Sequence, residues 1–165
     1  MLDTLITAWI SRGALEGIAI EAERTARLET GGVLIGYCAG TADVVVTQSI
    51  GPGPKAVHGE IRFVPDADYH ESSIAKVYAA SGRRHVYLGD WHTHPGADVE
   101  LSKRDCRVLK RIAETKGARM PHPIMGIVGG ELRWSLAVWR YTPGGPVSRI
   151  GGRGIAECRI RIYGA

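Results

Sequence analysis

The stretch HVYLGDWHTHPGADVELSKRDCRVLKRIAETK, residues 85–116, decides the fold and carries the densest chemistry of the chain. His85 to His94 is β-branched and aromatic enough for a strand, which Pro95-Gly96 ends because proline supplies no ladder donor. Leu101-Ser102 then opens a helix to about Lys116, with Ser102 at the N-cap and Asp105 facing the free amides of the first turn. Val108, Leu109 and Ile112 form its buried stripe. Side chains alternate along a strand, so His92 and His94 project from one face with Cα atoms roughly 7 Å apart. The connection from Pro95 to Leu101 is seven residues long, which returns Asp105 close to the end of that strand.

Two imidazoles and a carboxylate on one ion leave a fourth position open. That is the catalytic pattern for zinc, since structural zinc is closed by four protein ligands. Such an ion lowers the pKa of a water to about 7 and polarises a carbonyl. A base must take the proton of that water, and a carboxylate from elsewhere in the fold is the usual choice, but spacing leaves its identity open.

Upstream, Leu15, Ile18, Ala19, Ala22 and Ala26 recur at helical intervals between about Arg12 and Leu28. TGGVLIGY (30–37) and DVVVTQSI (43–50) read as strands joined by a tight turn near Ala39-Gly40-Thr41. GPGPKAV (51–57) is a loop leading into a strand, HGEIRFV (58–64), and Asp66 to Ala80 is a helix ended by Gly82. Downstream, PIMGIVGGELRWSLAVWRY (123–141) reads as a hairpin around Gly129-Gly130. Strand pairs adjacent in sequence, mixed with helices, predict an α+β fold, a mixed β-sheet flanked by helices, in one domain over residues 1–165.

Composition excludes other classes. Hydrophobic residues at 44% and charged residues at 23% argue against disorder or a fibrous repeat. No apolar run approaches the roughly 20 residues that span a bilayer, and MLDTLITAWISRG (1–13) has an acid where a signal peptide needs basic residues. A cytoplasmic protein with no membrane partner is expected. Cys38, Cys106 and Cys158 are odd in number and lack a C-x-x-C pair, so they are expected to be reduced and mostly buried. The formal charge of +4 comes from interspersed Lys and Arg, a weak argument for nucleic acid. After Pro146, Arg149, Arg153, Arg159 and Arg161 stand against Glu157, which reads as a solvated face or frayed tail, or else a basic patch for an acidic partner.

Taken together, Glu29 in LETGGVLIG, His92-Thr93-His94-Pro95 and Ser102-Lys103-Arg104-Asp105 resemble the JAMM, or MPN-plus, metalloproteases. Ten residues separate His94 from Asp105, as in that family, and the likeness runs from the helix before Glu29 through the last hairpin. The resemblance implies an MPN/cytidine-deaminase-like architecture with a partly barrel-like sheet. It also implies zinc held by His92, His94 and Asp105, and hydrolysis of the amide bond at the C-terminus of a ubiquitin-like protein or its conjugate. On the same basis Glu29 is the general base, Ser102 hydrogen-bonds the oxyanion, and Trp91 packs beside the metal. Leu101 stands where many relatives have proline, which alters the loop entering the helix without touching a ligand. No His/Cys cluster is present for the second, structural zinc of the eukaryotic endosomal members, so their linkage specificity does not transfer. FVPDADYHESSIAKVYAA (63–80) with YLGDWHTHP (87–95) is most similar to small bacterial members that accompany ubiquitin-like activating and conjugating enzymes in antiphage operons.

Simpler readings stand beside these. His-x-His alone is more often a packed or surface pair, Asp105 alone a helix-dipole carboxylate, Ser102 alone a cap and Glu29 alone a solvated helix end. His58, His70, His85 and His122 lack spacing partners and read as loop or surface residues, while Glu60 and Asp90 are candidates for orienting a ligand histidine. Cys106 beside Asp105 brings a cysteine protease to mind, yet a helix cysteine in an apolar stripe is usually just packed. The glycines of GGVLIG, with no Gly-Lys-Ser/Thr after them, are read as room for a substrate backbone rather than a phosphate loop. Two other functional classes remain at this stage: a non-catalytic MPN scaffold, which usually lacks a ligand, and a DNA-associated relative resting on the basic C-terminal segment.

Overall fold

The computed structural model of the chain describes residues 6–130, 133–145, 147–148 and 152–164. Strand β1 (Thr7–Ser11) runs straight into helix α1 (Arg12–Arg24), capped by the Ser11 hydroxyl accepting from the Ala14 amide. Ala14, Ile18 and Ala22, four residues apart, are its buried stripe. The helix ends at Arg24 rather than Leu28 because Thr25 closes it, its amide and hydroxyl both donating to the Glu21 carbonyl. Strands β2 (Gly31–Ala39) and β3 (Asp43–Ile50) form the expected hairpin.

The single strand predicted over 58–64 is instead a small hairpin of β4 (Val57–His58) and β5 (Phe63–Val64), because Gly59 and the residues after it turn the chain back on itself. Helix α2 (Ala67–Ala80) is capped by Asp66, whose carboxylate accepts from the Tyr69 amide and also from the Lys55 amide. Strand β6 (Val86–Pro95) includes the proline as its last residue, and Gly96, at φ 71°, makes the left-handed exit. Helix α3 (Lys103–Glu114), strand β7 (Ile124–Gly130) and strand β8 (Ser135–Tyr141) follow, and residues 131–132 are outside the described ones.

In the C-terminal segment Arg153, Arg159 and Arg161 are exposed, as a solvated face, but the frayed-tail reading is corrected. A two-residue pair, β9 (Val147–Ser148) and β10 (Gly152–Arg153), is followed by β11 (Ile155–Glu157) and β12 (Arg159–Tyr163), both in the main sheet. Arg159 and Arg161 alternate with half-buried Ile160, so this is a strand and not a frayed tail, and the Arg161 guanidinium lies 5.8 Å over the Trp9 ring. Arg149 lies outside the described residues.

Eight strands make one mixed sheet in the order β11-β8-β7-β6-β2-β3-β1-β12, with β6–β7, β1–β3 and β1–β12 parallel and the other pairs antiparallel. Cys158 alone links the two outermost strands, and its amide donates to the Val138 carbonyl on β8, so the sheet curls nearly into a barrel. This is the mixed, partly barrel-like α+β architecture read from the sequence. Alternation along the strands splits the core. Ile124, Val128 and Val138 face the cluster that holds α1, while Met125, Ile127, Ala137 and Trp139 face the one containing fully buried Leu109 of α3. Among the described residues no helix is long and apolar enough to cross a membrane.

Gly89 lets β6 and β7 pair. Its φ is 151°, and a Cβ there would lie 1.8 Å from the Ile124 carbonyl oxygen. Gly89→Ala is therefore expected to strain the backbone and force the strands apart, costing at least about 3 kcal/mol in a urea titration.

Candidate active site

Asp90, His92 and His94 share one face of β6, the face turned toward α3, while Trp91 and Thr93 point the other way into the α1 core. The two imidazoles meet edge to face with Nε2 atoms 3.1 Å apart. Asp105 Oδ1 lies 3.2 Å from His92 Nε2, and Asp105 Oδ2 lies 3.6 Å from His94 Nε2. Each of the three offers one donor atom, all within 4.8 Å of one another, a set that fits a divalent metal.

Asp105 is 6% exposed, a costly place for a charge unless it is hydrogen-bonded. It sits at the third position of α3 in a capping box: the Ser102 hydroxyl accepts from the Asp105 amide at 3.2 Å, and Asp105 Oδ2 accepts from the Ser102 amide at 2.8 Å. Burial pushes its carboxyl up, but the His92 imidazole and the Ser102 hydroxyl and amide outweigh it and bring it to about 2. Burial, with His92 alongside, lowers His94 despite the opposing pull of Asp105 and a hydrogen bond to the Asp98 backbone. The site therefore holds an ionised carboxylate beside a neutral imidazole, the protonation states metal binding requires.

Glu29 lines the same cleft, a cavity of about 400 Å³, with His92, His94, Ser102 and Asp105. It is half-buried, in the segment between α1 and β2. Its amide donates to the Gly59 carbonyl at 2.7 Å and its carbonyl is 3.0 Å from His58 Nδ1, so the end of β4 holds it from behind. Burial raises its carboxyl and Asp105 adds to this, against His92 and Arg104.

Other sequence readings change. His58 is one of the groups that hold the Glu29 backbone, and His70 is 8% exposed on α2 with Nε2 donating to the Gly51 carbonyl at 2.8 Å; neither is a free surface residue. His85 stacks on Tyr37, and His122 is partly buried. Asp90 accepts from the Tyr87 hydroxyl at 2.7 Å and Glu60 is exposed, so among the described residues neither hydrogen-bonds His92 or His94. Trp91 lines the cleft but is 1% exposed, its indole N–H donating to the Ile50 carbonyl. The room at Gly31 and Gly32 is taken by the protein itself: a Cβ would lie 2.3 Å from the Trp91 carbonyl and 1.8 Å from that of Ile50. The sequence reading missed Gly129, where a Cβ would lie 2.6 Å from the Ala97 and Asp98 carbonyls, and which thereby lets the loop that holds His94 pack down.

A family described as prokaryotic homologs of the JAB domain matches residues 11–140. The chain is 38% identical over 133 residues to a Sinorhizobium fredii protein named "Probable metalloprotease y4qB", covering 79% of this chain and 81% of the relative. It is 27% identical over 158 residues to a "CD-NTase/cGAS isopeptidase" of Enterobacter hormaechei subsp. hoffmannii, covering 95% and 82%. The solution structure of a Desulfitobacterium hafniense protein superposes with a TM-score of 0.66 over 94% of this chain and 92% of the other, at 17% identity, a likeness of fold.

Cys106 follows Asp105 on α3, and burial, reinforced by that carboxylate, raises its thiol, the opposite of what a nucleophile needs. Cys38 is exposed, contrary to the expectation for it. Iodoacetamide at pH 8 is expected to modify Cys38 first and Cys106 slowly, as followed by peptide mass spectrometry. Cys106→Ala should hydrolyse substrate at the wild-type rate, and inactivation of that variant would point to a thiol enzyme.

Proposed function

The chain belongs to the family of prokaryotic homologs of the JAB domain, and from that premise we propose that it is a zinc-dependent isopeptidase or peptidase. Its substrate would be the amide bond at the C-terminus of a ubiquitin-like protein or a similar conjugate. The observation that carries this reading is the convergence of His92, His94 and Asp105 in a cleft they share with Glu29. Tetrahedral zinc with bonds of about 2.0–2.2 Å holds its donors roughly 3.3–3.6 Å apart. The two Nε2 atoms are 3.1 Å apart and Asp105 reaches them with Oδ1 at 3.2 Å and Oδ2 at 3.6 Å, close to that spacing. Three protein donors leave a position for the chemistry, as catalytic zinc requires.

When bound, zinc supplies a Lewis acid that acidifies a water and polarises the scissile carbonyl. Glu29 takes the proton of that water on its carboxylate and returns it to the leaving amine. The Ser102 hydroxyl accepts the Asp105 amide through a lone pair, which leaves its own proton for the developing oxyanion. Helix capping and oxyanion binding are thus compatible in one side chain. The substrate tail runs through the cleft as an extended strand, read by its backbone, and a two-glycine end suits so close an approach.

The relatives named isopeptidases support a conjugate as the partner. Activating and conjugating enzymes of the same operon, antiviral defence and the bacterial cytoplasm complete the proposal, on the sequence resemblance alone. Pairing of β1 with β12 supports reading residues 1–165 as a single JAMM domain.

The test is metal analysis beside cleavage of a Gly-Gly-terminated peptide joined to a lysine ε-amine. His92→Ala and Asp105→Ala are expected to lose both zinc and activity. Glu29→Gln is expected to keep zinc and lose about 10²–10⁴ in kcat, and full activity in that variant would remove Glu29 from the mechanism.

A further inference from the structure

Thr93 separates the two histidines and points away from the cleft, 1% exposed. Opposite it is Thr30, fully buried and immediately after Glu29. The Thr93 amide donates to the Thr30 carbonyl at 2.8 Å, as in an antiparallel ladder. A regular pair returns the second bond from backbone to backbone. Here the Thr30 amide donates instead to the Thr93 hydroxyl, at 3.0 Å. The Thr30 hydroxyl in turn donates to the Glu21 carboxylate on α1 at 2.8 Å, and the Arg24 guanidinium holds both Glu21 oxygens, at 2.8 and 2.9 Å.

The substituted bond marks where β2 and β6 part. The β2–β6 register ends at Gly31 and His92, and the Glu29 amide, turned away from β6 by strand alternation, donates to the Gly59 carbonyl. The hydroxyl of Thr93 therefore stands at the point from which the Glu29 chain departs toward the cleft, between the two residues whose imidazoles lie in that cleft. We propose that Thr93 is a positioning residue that acts through Thr30 to hold the Glu29 carboxylate in register with His92, His94 and Asp105. The proposal rests on Glu29 as the base. Without the hydroxyl the buried Thr30 amide has no acceptor and must shift to find one. A displacement of about 1 Å at a reacting group costs roughly 10²-fold in rate.

Valine matches threonine in shape and deletes the hydroxyl, while serine keeps it. In the metal-free full chain, NMR hydrogen exchange is expected to show the Thr30 amide protected in the wild type and in Thr93→Ser, and roughly three- to tenfold less protected in Thr93→Val. With zinc loaded, on the same Gly-Gly lysine peptide, Thr93→Val should keep its metal content and KM and lose about 10- to 100-fold in kcat, with Thr93→Ser restoring most of it. Thr93→Val added to Glu29→Gln should lower kcat no further, because its effect passes through Glu29. An unprotected Thr30 amide in the wild type overturns the proposal even if Thr93→Val fails to fold. Metal loss or wild-type kcat in Thr93→Val, or an additive loss in the double variant, also overturns it. A fully active Glu29→Gln overturns the base assignment and this proposal together, whereas an inactive Glu29→Gln beside an unimpaired Thr93→Val overturns the proposal alone.

Discussion

Strand β2 lies pressed between β6 and β3, and at its start the approach depends on two residues without side chains. Gly31 faces His92 in register and Gly32 faces Trp91, while on its other side β2 pairs with β3 up to Ile50. Any Cβ at Gly31 or Gly32 would lie inside the Trp91 or Ile50 carbonyl. Placement of the acid at Glu29 follows, because it enters this pairing just two residues before Gly31. The relation between Glu29 and the His-x-His strand is thus a property of sheet register, fixed by backbone contact more than by the acid's own side chain. A register slip of one residue would turn each side chain of β2 to the opposite face.

The same alternation divides labour along β6. Asp90, His92 and His94 face the cleft and α3, whereas Trp91 and Thr93 face the α1 core and tie β6 to Ile50 and Thr30. Both sets are needed, since an imidazole aimed correctly on a strand that drifts is aimed at nothing. Parallel pairing with β7 fixes the other side of β6, with His94 opposite Gly129, and the missing side chain there admits the Ala97–Asp98 turn that meets His94. The histidines are thereby held from the sheet and from the loop, a support that a site built on loops alone would lack.

Much of this was legible in the sequence, for stated reasons. Strand β6, α3 and the β2–β3 and β7–β8 hairpins have strong periodicity and clear stops, and the His-x-His and Ser-x-x-Asp spacings lie on one strand and one helix turn. Strands β1 and β12 went unread because each is five residues long and pairs in parallel with a partner more than 30 residues away in sequence, a relation no local pattern encodes. Glu29 lies 63 residues before His92, so spacing could not select it and only the family resemblance did. The contributions of Gly59 and Asp98 come through backbone atoms, which leave no trace in residue type. Thr93 was legible as a residue but not as a role, because a threonine inside a strand is ordinary until its hydroxyl is seen to replace a ladder acceptor.

Asp105 shows how the fold prepares the proposed metal site before any ion arrives. A carboxylate at 6% exposure is unfavourable on burial alone, and removing its partners would either neutralise it or unfold its surroundings. Its oxygens are instead occupied: Oδ2 by the Ser102 amide, in a bond that also caps α3, and Oδ1 by His92. The helix N-terminus favours the negative charge as well. The carboxylate is thus ionised and oriented by the interactions that start the helix, and the helix is anchored by Leu109 in the core beneath it. Little reorganisation is left for an incoming ion to drive, which favours binding. The dependence also runs the other way, because removing Asp105 deletes a proposed ligand and half of the capping box together, whereas His92 and His94 sit on a strand whose pairing does not need their rings.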